Sequence, residues 1–521
     1  MRRYVVPVIA FLAVAGFLAA IPGQRLVRAQ GSPPPGAIEL ALQSGSEFDA
    51  RDLAGLRKFY AARAFAPAWS GAQGLTRDGQ AALAVLAKSD GEGLDPKRYD
   101  VARLKAPWPD GAARDMTLTA ALLRYAADLA DGRPDFRAID SDIELPPSGI
   151  DTAAGLAQAL SAHKLPEYFQ SLLPRLPEYA ALRGALAQYR AIAAKGGWSP
   201  IAAAKSFRAD SADPDMLENL RARLAFEDAA LARLATPSAA DIDAAVRRFQ
   251  ARNGVEDDGL IGAKTVALLN VTAASRALQI AANMERMRWL PQNFEAARIV
   301  VNVPDARLAV IENGREVLSS AVIVGRPKDR TPIFRAEVTG VVANPPWIVP
   351  AKIARQEIMP KANSNPDYLA RNHLVVDNGQ VRQLPGPDNS LGQIKLELDD
   401  HFAVYLHDTP AKALFARRQR FLSHGCIRVA QIIPLASYAL SGDTTTGIES
   451  LMAAIATTDT VHLAVKARIP VYVVYFTAFS APDGLQFRAD VYGRDKRMIA
   501  AMAAQGFAQL TVPTANCDRK A

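Results

Sequence analysis

Near Arg298 the spacing of apolar residues changes, and that change limits the possible folds more than any other feature of the chain. Before it, as far as Pro237, the sequence is rich in Ala and Leu with helical spacing. Leu118, Leu122, Tyr125 and Leu129 line one helical face, and Gly132 and Pro134 stop it. Loop signals at Gly91-Glu92-Gly93-Leu94-Asp95-Pro96 and Asp131-Gly132-Arg133-Pro134 separate such helices. After it come β-rich runs, Ile299–Val303, Leu308–Ile311 and Ala321–Gly325, with Glu312-Asn313-Gly314-Arg315 as a hairpin turn. The pattern predicts an α+β multidomain protein with a helical front and a mostly β back. With 521 residues, 50% of them apolar, the chain can build about three domains with real cores.

The first residues set the expected compartment. Arg2 and Arg3 precede an apolar run from Tyr4 to Pro22, and a small-residue site ends at Val27-Arg28-Ala29, the arrangement of a secretory signal peptide over 1–29. The run contains Pro7, Gly16 and Pro22 and falls short of a good membrane span, so membrane attachment is expected only through an uncleaved segment. Removing 1–29 takes the formal net charge from +8 to +4. A mature chain this mildly basic argues against a nucleic-acid partner, which requires a clustered basic face. Two cysteines do not make a disulfide scaffold. Cys517 reads as an exposed thiol in a polar tail, and its pairing with Cys426 would silence the latter.

The chemistry concentrates between Val404 and Val429. His407 is followed, after fifteen residues, by Ser423-His424-Gly425-Cys426-Ile427-Arg428. Cysteine attacks as the thiolate, so it needs a base within hydrogen-bond reach and N–H groups aimed at the developing charge. Val404-Tyr405-Leu406 reads as a buried strand that presents His407 at its end. Gly425 lets the backbone approach a substrate carbonyl closely. Other readings of the same residues stay open. An isolated cysteine also serves as a small buried apolar residue, His424 can shape the turn instead of reacting, and Arg428 can pair with a nearby acid instead of a substrate carboxylate. A zinc site from His407, His424 and Cys426 fits no common ligand spacing.

This motif resembles the signature of the L,D-transpeptidase (YkuD-type) catalytic domain, and Asp408-Thr409-Pro410-Ala411-Lys412 with Leu414-Phe415 is similar to its large periplasmic members. The resemblance implies that Cys426 is the nucleophile and His407 its base, with the Asp408 backbone carbonyl orienting the ring. The Gly425 and Cys426 N–H groups then form the oxyanion hole. Arg428, His424, Ser423 and Trp347 are expected to contact substrate. It also implies peptidoglycan stem peptides as partners, a periplasmic location, and no metal or organic cofactor, with cell-wall synthases as candidate partners of a scaffold.

The expected domains follow in order. Residues 30–36, containing Pro33-Pro34-Pro35-Gly36, form a linker, and 37–237 the helical scaffold. Residues 238–270 resemble a small three-helix peptidoglycan-binding module, through Val246-Arg247-Arg248-Phe249-Gln250 and Asp257-Asp258-Gly259-Leu260-Ile261-Gly262. It is expected either to bind glycan or to pack as part of the scaffold. A connecting helix fills 271–295, the catalytic domain 296–495 with a lid insertion over about 347–384, and a tail 496–521. As to activity, the resemblance implies a 3→3 cross-linking transpeptidase. An L,D-carboxypeptidase, a lipoprotein-attaching enzyme and a non-catalytic wall-binding protein are the alternatives.

Overall fold

The computed structural model describes residues 36–504 apart from 45–47, 73, 109, 134–137, 203–204 and 443–446. The signal segment, nearly all of the linker, Pro134 and Cys517 lie outside the described residues. No helix among the described residues is long and apolar enough to cross a membrane.

The front of the chain is helical, as its periodicity predicts. Its central helix, Gly111–Asp131, buries Leu118, Leu122, Tyr125 and Leu129. Asp115 on this helix is fully buried and accepts hydrogen bonds from Tyr60 Oη (2.7 Å) and from the N–H groups of Ala68, Trp69 and Ser70 (2.8 to 2.9 Å). One carboxylate thereby satisfies a bend whose donors would otherwise be buried unpaired.

The module expected at 238–270 begins earlier than its sequence boundary. Ile242, Val246 and Phe249 on the Ala239–Arg252 helix share a separate apolar core with Ile201, Leu220, Leu224 and Leu231, closed by Ile261 and Leu269. A Phe207 to Ile261 bridge ties the two stretches together. Ser238 caps the Ala239–Arg252 helix but marks no domain edge, because that helix cannot bury its face without Pro214–Ala225.

The back is a barrel. Strand Ile333–Ala343 pairs with Pro470–Val474 on one side and Ile394–Leu398 on the other. From there the order runs Leu406–His407, Ile427–Val429, Arg315–Gly325, Arg307–Glu312, Ala297–Asn302 and back to Pro470–Val474. Asn313 (φ 49°) and Gly314 (φ 79°) make the predicted hairpin turn, with Glu312 opposite Arg315. The strand expected at Val404–Leu406 is shorter, only Leu406–His407. It is parallel to Ile427–Val429, with Leu406 opposite Ile427 and His407 opposite Arg428.

The scaffold and the barrel share one continuous core. Ile143–Glu144 of the front adds a parallel strand beside Ile333–Phe334, and Asp140 and Asp142 bind Arg330 and Arg494 of the back. The tail expected from 496 instead begins as the helix Arg494–Ala504, which buries Met498 and Met502. The stretch expected as a lid is a small unit with its own apolar cluster of Val349, Ile353, Ala354, Ile358, Leu374 and Val381. It combines a three-stranded sheet (Trp347–Ile348, Gln380–Gln383, Leu374–Asp377) with a helical stretch containing one π-helical segment, Ala354–Ile358.

Candidate active site

Strand alternation and register place the site. Leu406, Ile427 and Val429 point into the barrel and are fully buried, so Tyr405, His407, Cys426 and Arg428 share the opposite face. Lys395, opposite His407 on the neighbouring strand, joins them.

The turn carrying Cys426 is held from three directions. Gly425 has φ 121°, a conformation open to glycine at little cost. Its carbonyl accepts from Thr331 Oγ1 (2.7 Å), which itself accepts from the Gly325 N–H (2.9 Å). Tyr492 Oη donates to the Gly325 carbonyl (2.5 Å). Inside the turn, Ser423 Oγ donates to the Cys426 carbonyl (2.6 Å) and accepts from the Gly425 N–H (3.1 Å). This corrects the expectation that the Gly425 N–H is open to a substrate oxyanion, because the short Ser423 side chain folds back and occupies it. The Cys426 N–H donates to no other group among the described residues.

His407 is buried, and its Nδ1 has no hydrogen-bond partner. Burial first, and then the charge of Arg428, push its pKa down to about 3, against the opposing pull of the Asp408 and Leu391 main chains. The ring rests against Tyr405 at a centroid distance of 5.4 Å. The Asp408 carboxylate faces elsewhere: it pairs with Lys412, accepts from the Gln393 N–H (3.1 Å), and is seated against Gly392, where a Cβ would come within 2.4 Å of it. The Asp408 side chain therefore forms no hydrogen bond with the imidazole, and it is the Asp408 and Leu391 main chains that act to raise its pKa.

Cys426 is half-buried, and its thiol donates to the Ala403 carbonyl (3.8 Å). No hydrogen bond joins it to His407, contrary to the sequence expectation. The two side chains share a face, but with a neutral thiol and a neutral imidazole no charge draws them together in the unliganded protein. Burial raises the thiol's pKa, while the Tyr405 backbone and hydroxyl both act to lower it. Tyr405 also meets the Trp347 side chain, and Lys395 Nζ stands 4.9 Å from its ring centre. In the sequence Tyr405 reads only as a strand residue. Its place two positions before His407, on the same face, was the available signal.

Arg428 forms no ion pair among the described residues, and its Nε is buried without a partner. The reading in which a neighbouring acid neutralises it is not what the structure shows. His424 instead points at the lid, its Nε2 2.7 Å from Glu357 Oε1. Arg326 binds the same oxygen (2.9 Å) and Asp329 (2.6 Å), and Lys352 binds Asp329 (2.6 Å). These groups line a cavity of about 300 Å³. Trp347 is half-buried at the lid's edge and packs against the lid cluster. His407, His424 and Cys426 do not converge, and no group of three or more His, Cys, Asp or Glu side chains able to hold a metal occurs among the described residues.

Residues 296–449 match the family described as the L,D-transpeptidase catalytic domain, YkuD, and residues 54–186 match a family described as a scaffold domain. A Haemophilus influenzae protein provisionally named an L,D-transpeptidase is 32% identical over 243 residues, 42% of this chain and 48% of the relative. The chain thus spans about half the length of that curated relative. Solved structures of L,D-transpeptidases are similar at lower identity. The Mycobacterium smegmatis protein is 13% identical, covering 34% of this chain and 58% of its own, at a TM-score of 0.19. The Stackebrandtia nassauensis protein is 15% identical, covering 49% and 88%, at 0.20. Scores this low leave the fold to rest on the strands described above. On its family match, its relative and its motif, the chain carries a YkuD-type L,D-transpeptidase catalytic domain behind a scaffold domain.

Proposed function

We propose that this protein is a periplasmic peptidoglycan L,D-transpeptidase that forms 3→3 cross-links through a Cys426 acyl-enzyme. The observation that carries the reading is the half-open Cys426 sulfur on the same sheet face as a buried, neutral His407 with an unpaired Nδ1. Substrate entry dehydrates the site and gives the imidazole a proton to take. Cys426 Sγ bonds to the carbonyl carbon of the third stem residue while His407 receives the thiol proton. Collapse breaks the bond to the terminal D-alanine, which leaves with that proton on its amine. An amine of a second stem then attacks the thioester carbon, the Sγ–C bond breaks, and the thiol is regenerated.

The Cys426 N–H is the donor open to the tetrahedral oxyanion, and loss of one such donor typically costs about 10²–10³ in rate. The Gly425 N–H joins it only by releasing Ser423 Oγ. Arg428, an unpaired cation on this face, suits a stem carboxylate. Water as acceptor would make the protein a carboxypeptidase, and a lipoprotein lysine an attachment enzyme. The test is intact mass spectrometry with a disaccharide-tetrapeptide, beside Cys426→Ser. A thioester that needs Cys426, together with dimeric muropeptide, is the expected result. Adduct without dimer moves the acceptor to water or lipoprotein, and no adduct from folded, reduced protein overturns the catalytic reading.

A further inference from the structure

A second cavity, about 430 Å³, lies away from Cys426, where three parts of the chain meet. The scaffold helix Pro177–Ala194 contributes Tyr189, the second core contributes Phe226, Glu227, Arg252 and Asn253, and the barrel's Ala478–Ala481/Gly484–Phe487 hairpin contributes Phe487. Its size is that of a small-ligand site. The walls are aromatic: Tyr189 and Phe487 meet edge to face at 5.9 Å, and Phe226 at the rim is 39% exposed.

Arg252 is the cation on the lining, beside the acids Glu227 and Asp483, and further arginines stand behind it. Behind the lining, Arg223 lies 3.7 Å from the Trp198 ring centre and Arg276 lies 4.0 Å from that of Phe487. With Arg248 and Arg252 they set four guanidinium groups against the carboxylates of Glu227 and Asp228. Asp228 is already held by Arg248 at 2.8 Å, so Arg252 reaches it only at 3.8 Å. Here Arg252 Nη2, Arg223 Nη2 and Arg276 Nε are buried and end on no acceptor. Buried cationic donors in excess, beside an apolar wall, are complementary to an organic anion.

We propose that this junction cavity binds a carboxylate of a peptidoglycan stem peptide, with Arg252 meeting the carboxylate and Phe226 and Tyr189 flanking the peptide body. The proposal rests on the reading of the protein as a peptidoglycan enzyme, but the site is separate from the nucleophile. Occupied, it would hold a strand across scaffold, second core and barrel at once, since each supplies part of the wall.

The experiment is calorimetric titration of the full chain with a disaccharide-tripeptide, which lacks the D-alanine leaving group, and with the same compound amidated at its carboxyls. Arg252→Gln, Phe226→Ala and the native protein are compared, with melting curves and Cys426 acylation by the tetrapeptide followed in parallel. The expected result is binding that weakens about tenfold in Arg252→Gln and for the amidated probe, through the loss of one charge-assisted contact, and about tenfold in Phe226→Ala, through the loss of apolar contact, with acylation unchanged. Equal affinity of native protein and both variants, or equal affinity for the amidated probe, overturns the proposal. Loss of acylation in the native protein would instead sink the catalytic reading, whatever this cavity binds.

Discussion

At neutral pH the site should rest as thiol and neutral imidazole, without the ion pair that many cysteine enzymes hold in readiness. The structure sets the scale. Burial takes His407 from its ordinary 6.5 down to about 3, roughly 5 kcal/mol against the imidazolium, and it raises the Cys426 thiol as well, so both shifts disfavour the thiolate–imidazolium pair. Iodoacetamide alkylation of Cys426 between pH 5 and 10 reads this directly, because only the thiolate reacts. The rate should climb through a single limb centred above the ordinary cysteine range, with no step near 6.5, since His407 is already neutral there. Arg428→Gln supplies the internal control. Arg428 lowers the His407 pKa and favours the Cys426 thiolate, so its removal should raise both, moving the alkylation limb further up. A rate plateau already reached below pH 7, or a limb that moves down in Arg428→Gln, would refute the reasoning.

Two further outcomes follow from contacts around the same sulfur. Tyr405→Phe removes the hydroxyl that acts to lower the thiol pKa; the alkylation limb should move up and acylation fall by about tenfold, the scale of one hydrogen bond to a charged group, with KM little changed. An identical pH profile in the variant would leave Tyr405 as packing. Glu357→Gln weakens the lid's bonds to both His424 and Arg326. These pairs are partly exposed, so thermal stability should drop by no more than about 1 kcal/mol, while KM for the tetrapeptide rises and proteolytic nicking within 347–384 accelerates. Unchanged proteolysis there would show that the apolar contacts alone hold the lid.

How much of this was legible in the sequence depends on how far apart the interacting residues lie along the chain. The Asn313-Gly314 turn is local and read correctly, as was the Leu118 to Leu129 face. The fit of Ile201 and Leu220 to the Ile242 and Phe249 face was not legible, because an amphipathic helix announces that it needs a partner without saying which. The Glu357 to His424 contact crosses 67 positions and joins a lid to a turn, and nothing in either stretch marks the other. The role of Ser423 was misread for the opposite reason: its bond is so local, two residues to the Gly425 N–H, that a motif read only as reacting atoms overlooked the backbone it occupies.

Register is where the local and the distant meet. Leu406 opposite Ile427 and His407 opposite Arg428 put the imidazole on the face of the nucleophile. A slip of one residue would turn Leu406 out of the barrel core and His407 into it. The fifteen-residue spacing of the motif survives that slip unchanged, so spacing alone cannot hold the site. What forbids the slip is the apolar content of Leu406, Ile427 and Val429, all fully buried, whose return to water would cost about 1.5–3 kcal/mol each. Ordinary hydrophobic residues beside the motif therefore determine which way its histidine and cysteine face, and the chemistry inherits its geometry from the packing of the barrel.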